Sequence, residues 1–360
     1  MTTVEVSQQI DQAKAEAFGG QMVEIMNGGL LALMTSIGHR TSLFDTMSAM
    51  PPATSPEIAN AAGLNERYVR EWLGAMVTGR IVEYDPATKA YRLPPEHAAS
   101  LTRAAGPNNL AAMLQFMSLM GNVEDQIVDC FKNGGGVPYA SFPKFQALMA
   151  EDSAQVFDAT LVNVTLPMVP GLVNRLQEGI DVADVGCGQG HAINLMARAF
   201  PKSNFVGYDF SEGGIAAARA EAQAMGLANA EFELKDVSTL DGSRKFDLIT
   251  VFDAIHDQAH PARVLKGIAD SLTSDGTFLC VDVAASSNLE DNLEHPLGPM
   301  LYSVSTLHCM TVSLALGGTG LGTVWGDQLA RQMFAEAGFR DIRAERVEGD
   351  IMNVYYICKK

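Results

Sequence analysis

Glycine and carboxylate residues in the second half of the chain have the types and the spacing of a small-molecule site. An apolar run leads into the segment Asp184-Val185-Gly186-Cys187-Gly188-Gln189-Gly190, and a helical pattern begins at His191. Glycine at positions 186, 188 and 190 permits a sharp turn and leaves backbone amides open to a ligand, because no Cβ intervenes. The segment predicts a strand, a ligand-binding turn and a helix.

The glycine spacing also indicates which ligand is disfavoured. The dinucleotide pattern G-x-G-x-x-G would need its third glycine at position 191, where this chain has His191, with Gly190 one residue earlier. A nicotinamide cofactor is therefore not expected.

Two further carboxylates follow predicted strands. Asp209 and Phe210 end one apolar run, and Asp236 and Val237 end the next. The carboxyl ends of parallel strands meet at one edge of a sheet, so these residues are expected near the glycine turn. Asp209 is suited to accept hydrogen bonds from both hydroxyls of a ribose, Phe210 to stack on a purine, and Asp236 to accept from an exocyclic amine. The three strand ends fit an adenosine without phosphates.

This order of motifs resembles that of class I S-adenosylmethionine-dependent methyltransferases: D-x-G-x-G-x-G, an acidic end of the second strand, then Lys235-Asp236-Val237. The resemblance implies that Gly186, Gly188 and Gly190 hold the methionine part of the cofactor, with Asp184 near its amino group. It implies further that Asp209 binds the ribose and Asp236 the adenine amine. Val237 and Phe252 are expected to complete the cofactor site, and S-adenosylhomocysteine is the expected product.

A candidate general base follows the fourth predicted strand. In O-methyltransferases with a winged-helix domain, a His-Asp pair at this point supplies the base, and His256-Asp257 matches it. The tryptophan that usually follows is Gln258 here, so His256 has a second interpretation, as a residue that shapes the pocket or contacts the cofactor. His256 with His260 also imitates the zinc motif H-E-x-x-H, but Pro261 keeps the two imidazoles off one helical face. No metal is predicted.

The first hundred residues predict helices followed by a hairpin. Helical patterns over residues 1–19 and 21–34 precede a break at Gly38-His39. The segments that follow form the pattern of a winged helix, with helices and a hairpin at 42–50, 55–62, 65–78, 81–84 and 90–93. The resemblance to winged-helix O-methyltransferases implies a dimerisation and pocket-closing domain.

A cofactor-sensing transcriptional regulator, with the winged helix binding DNA or a protein, is the alternative. The residues up to Arg103 contain eight basic and eleven acidic side chains, and the whole chain has a formal net charge of −17. A phosphate-binding surface normally shows a basic excess, so nucleic acid is not the expected partner. The five cysteines have no C-x-x-C spacing, and no basic start precedes an apolar core, so a cytoplasmic protein is expected.

The predicted fold is therefore α/β: a Rossmann-like, seven-stranded, doubly wound sheet preceded by a mainly α winged-helix domain. The expected domains are residues 1–105, a helical connector over 106–179, and a methyltransferase domain over 180–360 with an insert at 284–326. The expected activity is methylation of a small and largely apolar acceptor, with oxygen as the favoured atom. The expected assembly is a homodimer, and no membrane span is predicted. Candidate acceptor-binding residues lie in two uncharged stretches: Phe116, Met120, Tyr302, His308, Met310 and Trp325.

Overall fold

The computed structural model describes residues 10–360. Residues 1–9, and with them half of the helix predicted over 1–19, lie outside the described part. The chain forms two compact units, one that ends at Ser118 and one that spans Leu119–Lys360.

The first unit consists of helices and one short hairpin. Its elements are α1 Gln12–Arg40, α2 Leu43–Ser48, α3 Ser55–Ala62, α4 Glu66–Thr78, β1 Glu83–Asp85, β2 Ala90–Arg92, α5 Pro95–Leu101 and α6 Leu110–Met113, and α7 Gln115–Gly121 begins at its end. β1 and β2 pair in antiparallel fashion. The predicted winged-helix pattern of three helices and a hairpin is confirmed.

Helix α1 corrects one expectation. It is a single helix of 29 residues that runs through Gly38-His39 and ends at Arg40, directly after the predicted break. Gly38 serves close packing instead of termination, since a Cβ there would lie 2.5 Å from Cζ2 of Trp72. The indole N–H of Trp72 donates to the carbonyl of Met34 at 2.8 Å, which fixes the end of α1 on α4.

Helix α3 begins with a capping box. The backbone N–H and the hydroxyl of Thr54 both donate to the Glu57 carboxylate, at 2.8 and 2.7 Å. Ser55, which the sequence indicated as the helix start, is the first helical residue. Such a reciprocal cap is worth about 1 kcal/mol.

The second unit begins with helices and continues as a seven-stranded sheet. The leading helices are α8 Glu124–Asn133, α9 Phe145–Thr160 and α10 Leu172–Glu178. All three lie within the helical connector expected over 106–179, and α9 continues as a π-helical turn at Leu161–Thr165. No glycine or proline occurs within α9, so nothing in its sequence ends the helix early.

The sheet has the order β5-β4-β3-β6-β7-β9-β8. Its strands are β3 Asp181–Val185, β4 Asn204–Asp209, β5 Ala230–Leu234, β6 Phe246–Phe252, β7 Leu272–Val283, β8 Asp341–Glu345 and β9 Asn353–Lys359. β9 runs antiparallel to the other six, and the pairs β7–β9 and β9–β8 are therefore the antiparallel ones. The helices around it are α11 His191–Ala199, α12 Glu212–Ala224, α13 Pro261–Ser271, α14 Gly298–Val304, α15 Met310–Ala315 and α16 Gly326–Ala337. The predicted Rossmann-like architecture is confirmed.

The strand order reverses between β3 and β6, where successive crossovers leave the sheet in opposite directions. Two buried clusters of apolar side chains cover the sheet, one around Val251 and Phe278 and one around Ile193 and Leu248. A crevice therefore opens at the carboxyl ends of these strands, the usual ligand position of such sheets.

Among the described residues, no single helix is long and apolar enough to cross a membrane. One sharply bent pair, formed by 145–168 and 172–178, meets the criteria of length and composition together.

Candidate active site

A cavity of about 510 Å³ lies in the second unit, at the carboxyl ends of β3 to β6. Its volume is in the range of small-molecule sites. All the residues expected to bind the cofactor line this cavity: Asp184, Gly186, Gly188, Gly190, Asp209, Phe210, Asp236, Val237 and Phe252. The sheet thus gathers side chains from four strand ends around one space.

The glycine turn between β3 and α11 requires its glycines for different reasons. Gly186, Gly188 and Gly190 have φ of +79°, +55° and +73°. A Cβ on Gly190 would lie 2.4 Å from Cε1 of Phe232, whereas a Cβ on Gly188 would meet nothing within 4 Å. Gly190 therefore permits close packing inside the domain, and Gly188 leaves open space for a ligand.

Asp209, at the end of β4, is oriented by two backbone amides. Its Oδ2 accepts from the N–H of Gly188 at 2.9 Å and its Oδ1 from the N–H of Ser211 at 2.8 Å. Burial nevertheless raises the pKa of Asp209 above its ordinary value. A carboxylate has four lone-pair directions, so two remain for the hydroxyls of a ribose.

Asp184 and Asp236 stand on either side of Asp209. The Asp184 Oδ1 accepts from the Thr250 hydroxyl at 2.6 Å, and burial raises the pKa of Asp184 to about 7. The Asp236 Oδ1 accepts from the N–H of Ser238 at 2.9 Å. The glycine turn and these carboxylates therefore fit an adenosine-bearing, positively charged cofactor.

The other end of the cavity lies beyond β6. Asp253 has φ of +50°, an uncommon conformation for a residue with a Cβ, and its buried Oδ1 has no hydrogen-bond partner in the described part of the protein. Burial and the nearby charge of Asp282 raise the pKa of Asp253. Strain combined with an unpaired buried oxygen is typical of a functional position.

His256 is held between two carboxylates. Its Nδ1 lies 2.7 Å from the Asp282 Oδ1, and its Nε2 lies 3.4 Å from the Asp257 Oδ1. Burial lowers the pKa of His256, but the charges of Asp282 and Asp257 raise it more, to well above its ordinary value. The imidazole is only 4% exposed and does not line the cavity, whereas Asp257 does. Its role as general base stays a prediction.

Two family models cover most of the chain. Residues 29–103 match the Rv2258c-like winged HTH domain, and residues 176–338 match a methyltransferase domain. The chain joins a winged helix-turn-helix domain to a methyltransferase domain. This agrees with the fold and with the family that the motifs resemble.

Curated relatives match part of the methyltransferase domain. Trans-aconitate 2-methyltransferase of Methylobacterium nodulans is 32% identical over 124 residues, which are 34% of this chain and 43% of that protein. Malonyl-[acyl-carrier protein] O-methyltransferase of Bacillus cereus is 27% identical over 123 residues, 32% of this chain and 45% of that protein. The chain spans less than half the length of these relatives.

Solved structures match nearly the whole chain. Mitomycin 7-O-methyltransferase has a TM-score of 0.73 at 17% identity and covers 97% of this chain and 100% of its own. Human N-acetylserotonin methyltransferase, in complex with S-adenosylmethionine, has a TM-score of 0.70 at 17% identity and covers 98% and 99%. At this identity the likeness establishes the fold.

The methyltransferase domain contains one group of side chains, among those described, with metal-ligand spacing. Candidate atoms of His256, Asp257 and Cys309 all lie within 4.8 Å of one another. Sequence reasoning examined His260 in this role, but His260 is exposed and precedes α13, which Pro261 opens. Cys309 was missed because it lies far along the chain, in the π-helical turn Ser305–Cys309.

The residues predicted to bind the acceptor are dispersed. Phe116 lies in the first unit, and the other five lie outside the cavity lining. Trp325 belongs to the core of the methyltransferase domain, and the Tyr302 hydroxyl accepts from the Asn292 amide at 3.1 Å. His308 lies behind the wall, stacked on Phe145 at 3.7 Å between ring centroids, while Met120 is buried and Met310 partly buried.

Helices α9 and α15 supply the wall that faces the strand ends. The lining residues on this side that sequence reasoning did not select are Tyr139, Phe145, Gln146, Met149, Ala150, Ser153, Phe157, Val312 and Leu316. Residues 145, 149, 153 and 157 are spaced by four, so they form one stripe along α9. That periodicity was the available signal, although it does not show which face of a helix meets a ligand.

Proposed function

We propose that this protein transfers the methyl group of S-adenosylmethionine to a small, largely apolar acceptor, with oxygen as the favoured atom. The supporting observation is the convergence of the glycine turn, Asp184, Asp209 and Asp236 on one cavity. When bound, the cofactor supplies an electrophilic methyl on a sulfonium. The acceptor oxygen would take this methyl, S-adenosylhomocysteine would leave as a neutral thioether, and the hydroxyl proton would go to a base of this chain.

The protein's own residues then have three tasks. The glycine turn and the strand-end carboxylates hold the cofactor, the apolar wall of α9 and α15 excludes water, and the segment after β6 meets the acceptor. His256 and Asp257 are the candidates to take the proton, and only Asp257 lines the cavity. This division requires neither a metal nor a covalent nucleophile.

Calorimetric titration with S-adenosylmethionine, S-adenosylhomocysteine and NAD tests the proposal. Replacing Asp209 by Ala is expected to weaken S-adenosylhomocysteine binding by roughly 1.5 to 3 kcal/mol, since a charged acceptor of two hydroxyls is lost. Asp270→Ala is the matched control, because Asp270 is a surface carboxylate paired with Lys266. Preference for NAD, or no binding of either sulfur compound, would contradict the proposal.

The winged helix-turn-helix domain offers little support for the regulator alternative. On α4, Arg67 pairs with Glu71 and Arg70 with Glu66, so acidic side chains accompany the basic ones on this helix. DNA of any sequence is expected to show no retardation at physiological salt. Retardation without turnover on an acceptor panel would favour the regulator.

We propose that residues 1–105 act in dimerisation and pocket closure, and that two chains form a homodimer. Helix α1 is exposed on all sides from Gln12 to Gly29, although it carries Phe18, Met22, Ile25 and Met26. Four large apolar side chains on one solvated helix are typical of a partner interface. Sedimentation of the wild-type protein is expected to give a dimer, and the double variant Phe18→Asp with Ile25→Asp is expected to be a monomer. The control Ile351→Asp, at another exposed apolar residue, is expected to stay dimeric. A monomeric wild-type protein would contradict the proposal.

We propose the cytoplasm as the compartment. All five cysteines are free, and three of them, Cys280, Cys309 and Cys358, are buried. Free thiols persist in a reducing environment. Fractionation of cells that express the protein is expected to recover it with cytoplasmic markers.

A further inference from the structure

The acceptor end of the cavity has an excess of negative charge. Asp253, Asp257 and Asp282 cluster around a single imidazolium, His256, whose two nitrogens face Asp282 and Asp257. The nearby His308 adds no charge, because burial lowers its pKa to about 4. Because the pKa of Asp253 is raised to about 7, this carboxyl is only partly ionised near neutrality, so three carboxyl groups and one cation leave between one and two negative charges in a largely buried region. Such an excess is costly unless ligands compensate for it.

Cations are scarce along the whole lining. Among the described residues that line the cavity, Lys235 is the only lysine or arginine. It follows β5 at the far end, where its ammonium lies 4.9 Å from the centroid of the Tyr208 ring. His260 is exposed, and His191 lies within 3.1 Å of Asp158 and 2.6 Å of Glu221. Apart from the His256 imidazolium, which Asp282 and Asp257 already flank, an acidic acceptor would therefore find no lysine or arginine among the lining residues of the segment after β6.

Two aromatic rings line the same cavity as Asp253 and Asp257. Tyr139 and Phe145 line the cavity with their centroids 5.5 Å apart at an interplanar angle of 81°. Tyr139 lies close enough to Asp257 that this charge, after burial, contributes to raising the pKa of its hydroxyl. Two rings beside a carboxylate form the environment that recognises organic ammonium groups, through attraction to the ring faces and to the negative charge.

On the basis of the proposed function, we infer that the acceptor carries a cationic amine, which Asp257 and the rings of Tyr139 and Phe145 bind. The charges of Asp257 and Asp282 are then balanced by the His256 imidazolium and the acceptor's ammonium, and the cofactor's sulfonium would offset the ionised form of Asp253. The same negative charge would repel acceptors that are carboxylates, such as trans-aconitate, after which the relative trans-aconitate 2-methyltransferase is named.

Three phenols of similar size, whose para substituents are cationic, neutral and anionic, test the inference by binding, without turnover. Tyramine, 4-ethylphenol and 4-hydroxyphenylacetate are titrated by calorimetry into protein saturated with S-adenosylhomocysteine. Tyramine is expected to bind at least about tenfold more tightly than 4-hydroxyphenylacetate, a difference that one partly buried charge pair supplies. In Asp257→Asn the ratio is expected to fall below about threefold.

The controls separate the inference from the proposed function. Asp270→Asn removes an exposed carboxylate elsewhere and is expected to keep the full ratio. Unchanged S-adenosylhomocysteine affinity in Asp257→Asn shows that the variant is folded. Failure of wild type to bind S-adenosylhomocysteine would contradict the proposed function itself.

Four results would overturn the inference while leaving the proposed function intact. They are equal or tighter binding of 4-hydroxyphenylacetate, an undiminished ratio in Asp257→Asn, no binding of any of the three phenols, and stoichiometric metal in the purified protein. The last would assign the excess charge to an ion at His256, Asp257 and Cys309.

Discussion

The two ends of the cavity are built differently. The proposed cofactor end is lined by a backbone turn and strand-end carboxylates, and Asp209 is already fixed by the amides of Gly188 and Ser211. At the acceptor end, side chains from α9, α15 and the segment after β6 meet, with unpaired oxygens and a strained backbone at Asp253. The first end is preorganised by hydrogen bonds, whereas the second holds a buried carboxyl oxygen without a hydrogen-bond partner among the described residues.

The difference indicates where specificity can change. A cofactor site made of backbone depends on few side chains, so the rest of the domain can vary around it. An acceptor site made of side chains on helices changes with single substitutions. This agrees with solved neighbours that share the fold at 17% identity although their names give different acceptors.

The largest expected effect concerns His256. If it is the general base, His256→Gln lowers kcat by about 10²- to 10⁴-fold and leaves S-adenosylhomocysteine affinity unchanged. The raised pKa sets the sign: the imidazole must lose its proton to act, so wild-type kcat rises with pH above neutrality, and His256→Gln loses this limb. Acceptor turnover across pH measures both; unchanged methyl transfer in the variant would remove the base role.

A second prediction tests the preorganised end. Gly190→Ala forces a Cβ into Phe232 and Ala218 at φ of +73°, while Gly226→Ala has a similar φ of +68° and open space around it. Gly226→Ala is expected to cost about 1 kcal/mol in the free energy of unfolding, and Gly190→Ala roughly 2 to 4 kcal/mol. Urea unfolding measures both free energies. Equal losses of stability would show that Phe232 and Ala218 move aside for the added Cβ at little cost.

The same contrast explains what could be predicted from sequence. The cofactor end is local: Asp184 to Gly190 lie within seven positions, and Asp209 and Asp236 each end a recognisable strand, so pattern and order place them together. The acceptor end joins Tyr139, Asp257 and Val312, whose meeting depends on tertiary packing. The uncharged stretches indicated helices but did not show which side of each helix faces the cavity. Trp325 was therefore predicted to bind the acceptor, although it belongs to the core of the domain.

The smallest predicted effect concerns the charge of Asp184. Its pKa of about 7 in the folded protein lies above the ordinary value of 3.8, so the native state holds a proton that the unfolded chain releases. Stability without ligand is therefore present at low pH and falls as pH rises from about 4 to about 7. Asp184→Asn removes this loss and retains an oxygen that can accept from the Thr250 hydroxyl.

The variant is expected to unfold at the same temperature as wild type near pH 4 and a few degrees higher near pH 8, a gain on the order of 1 to 3 kcal/mol. Near pH 8, bound cofactor should make wild type the more stable protein, because the cofactor's ammonium would stabilise the ionised Asp184 carboxylate and not the side-chain amide of the variant Asp184→Asn. S-adenosylhomocysteine affinity is thus expected to rise with pH through about 7 in wild type and to stay flat in Asp184→Asn. Thermal scans and titrations at both pH values measure this. If affinity depends on pH in the same way in both proteins, Asp184 does not face the cofactor's amino group. A different charged residue would then have to bind that group at the cofactor end of the cavity.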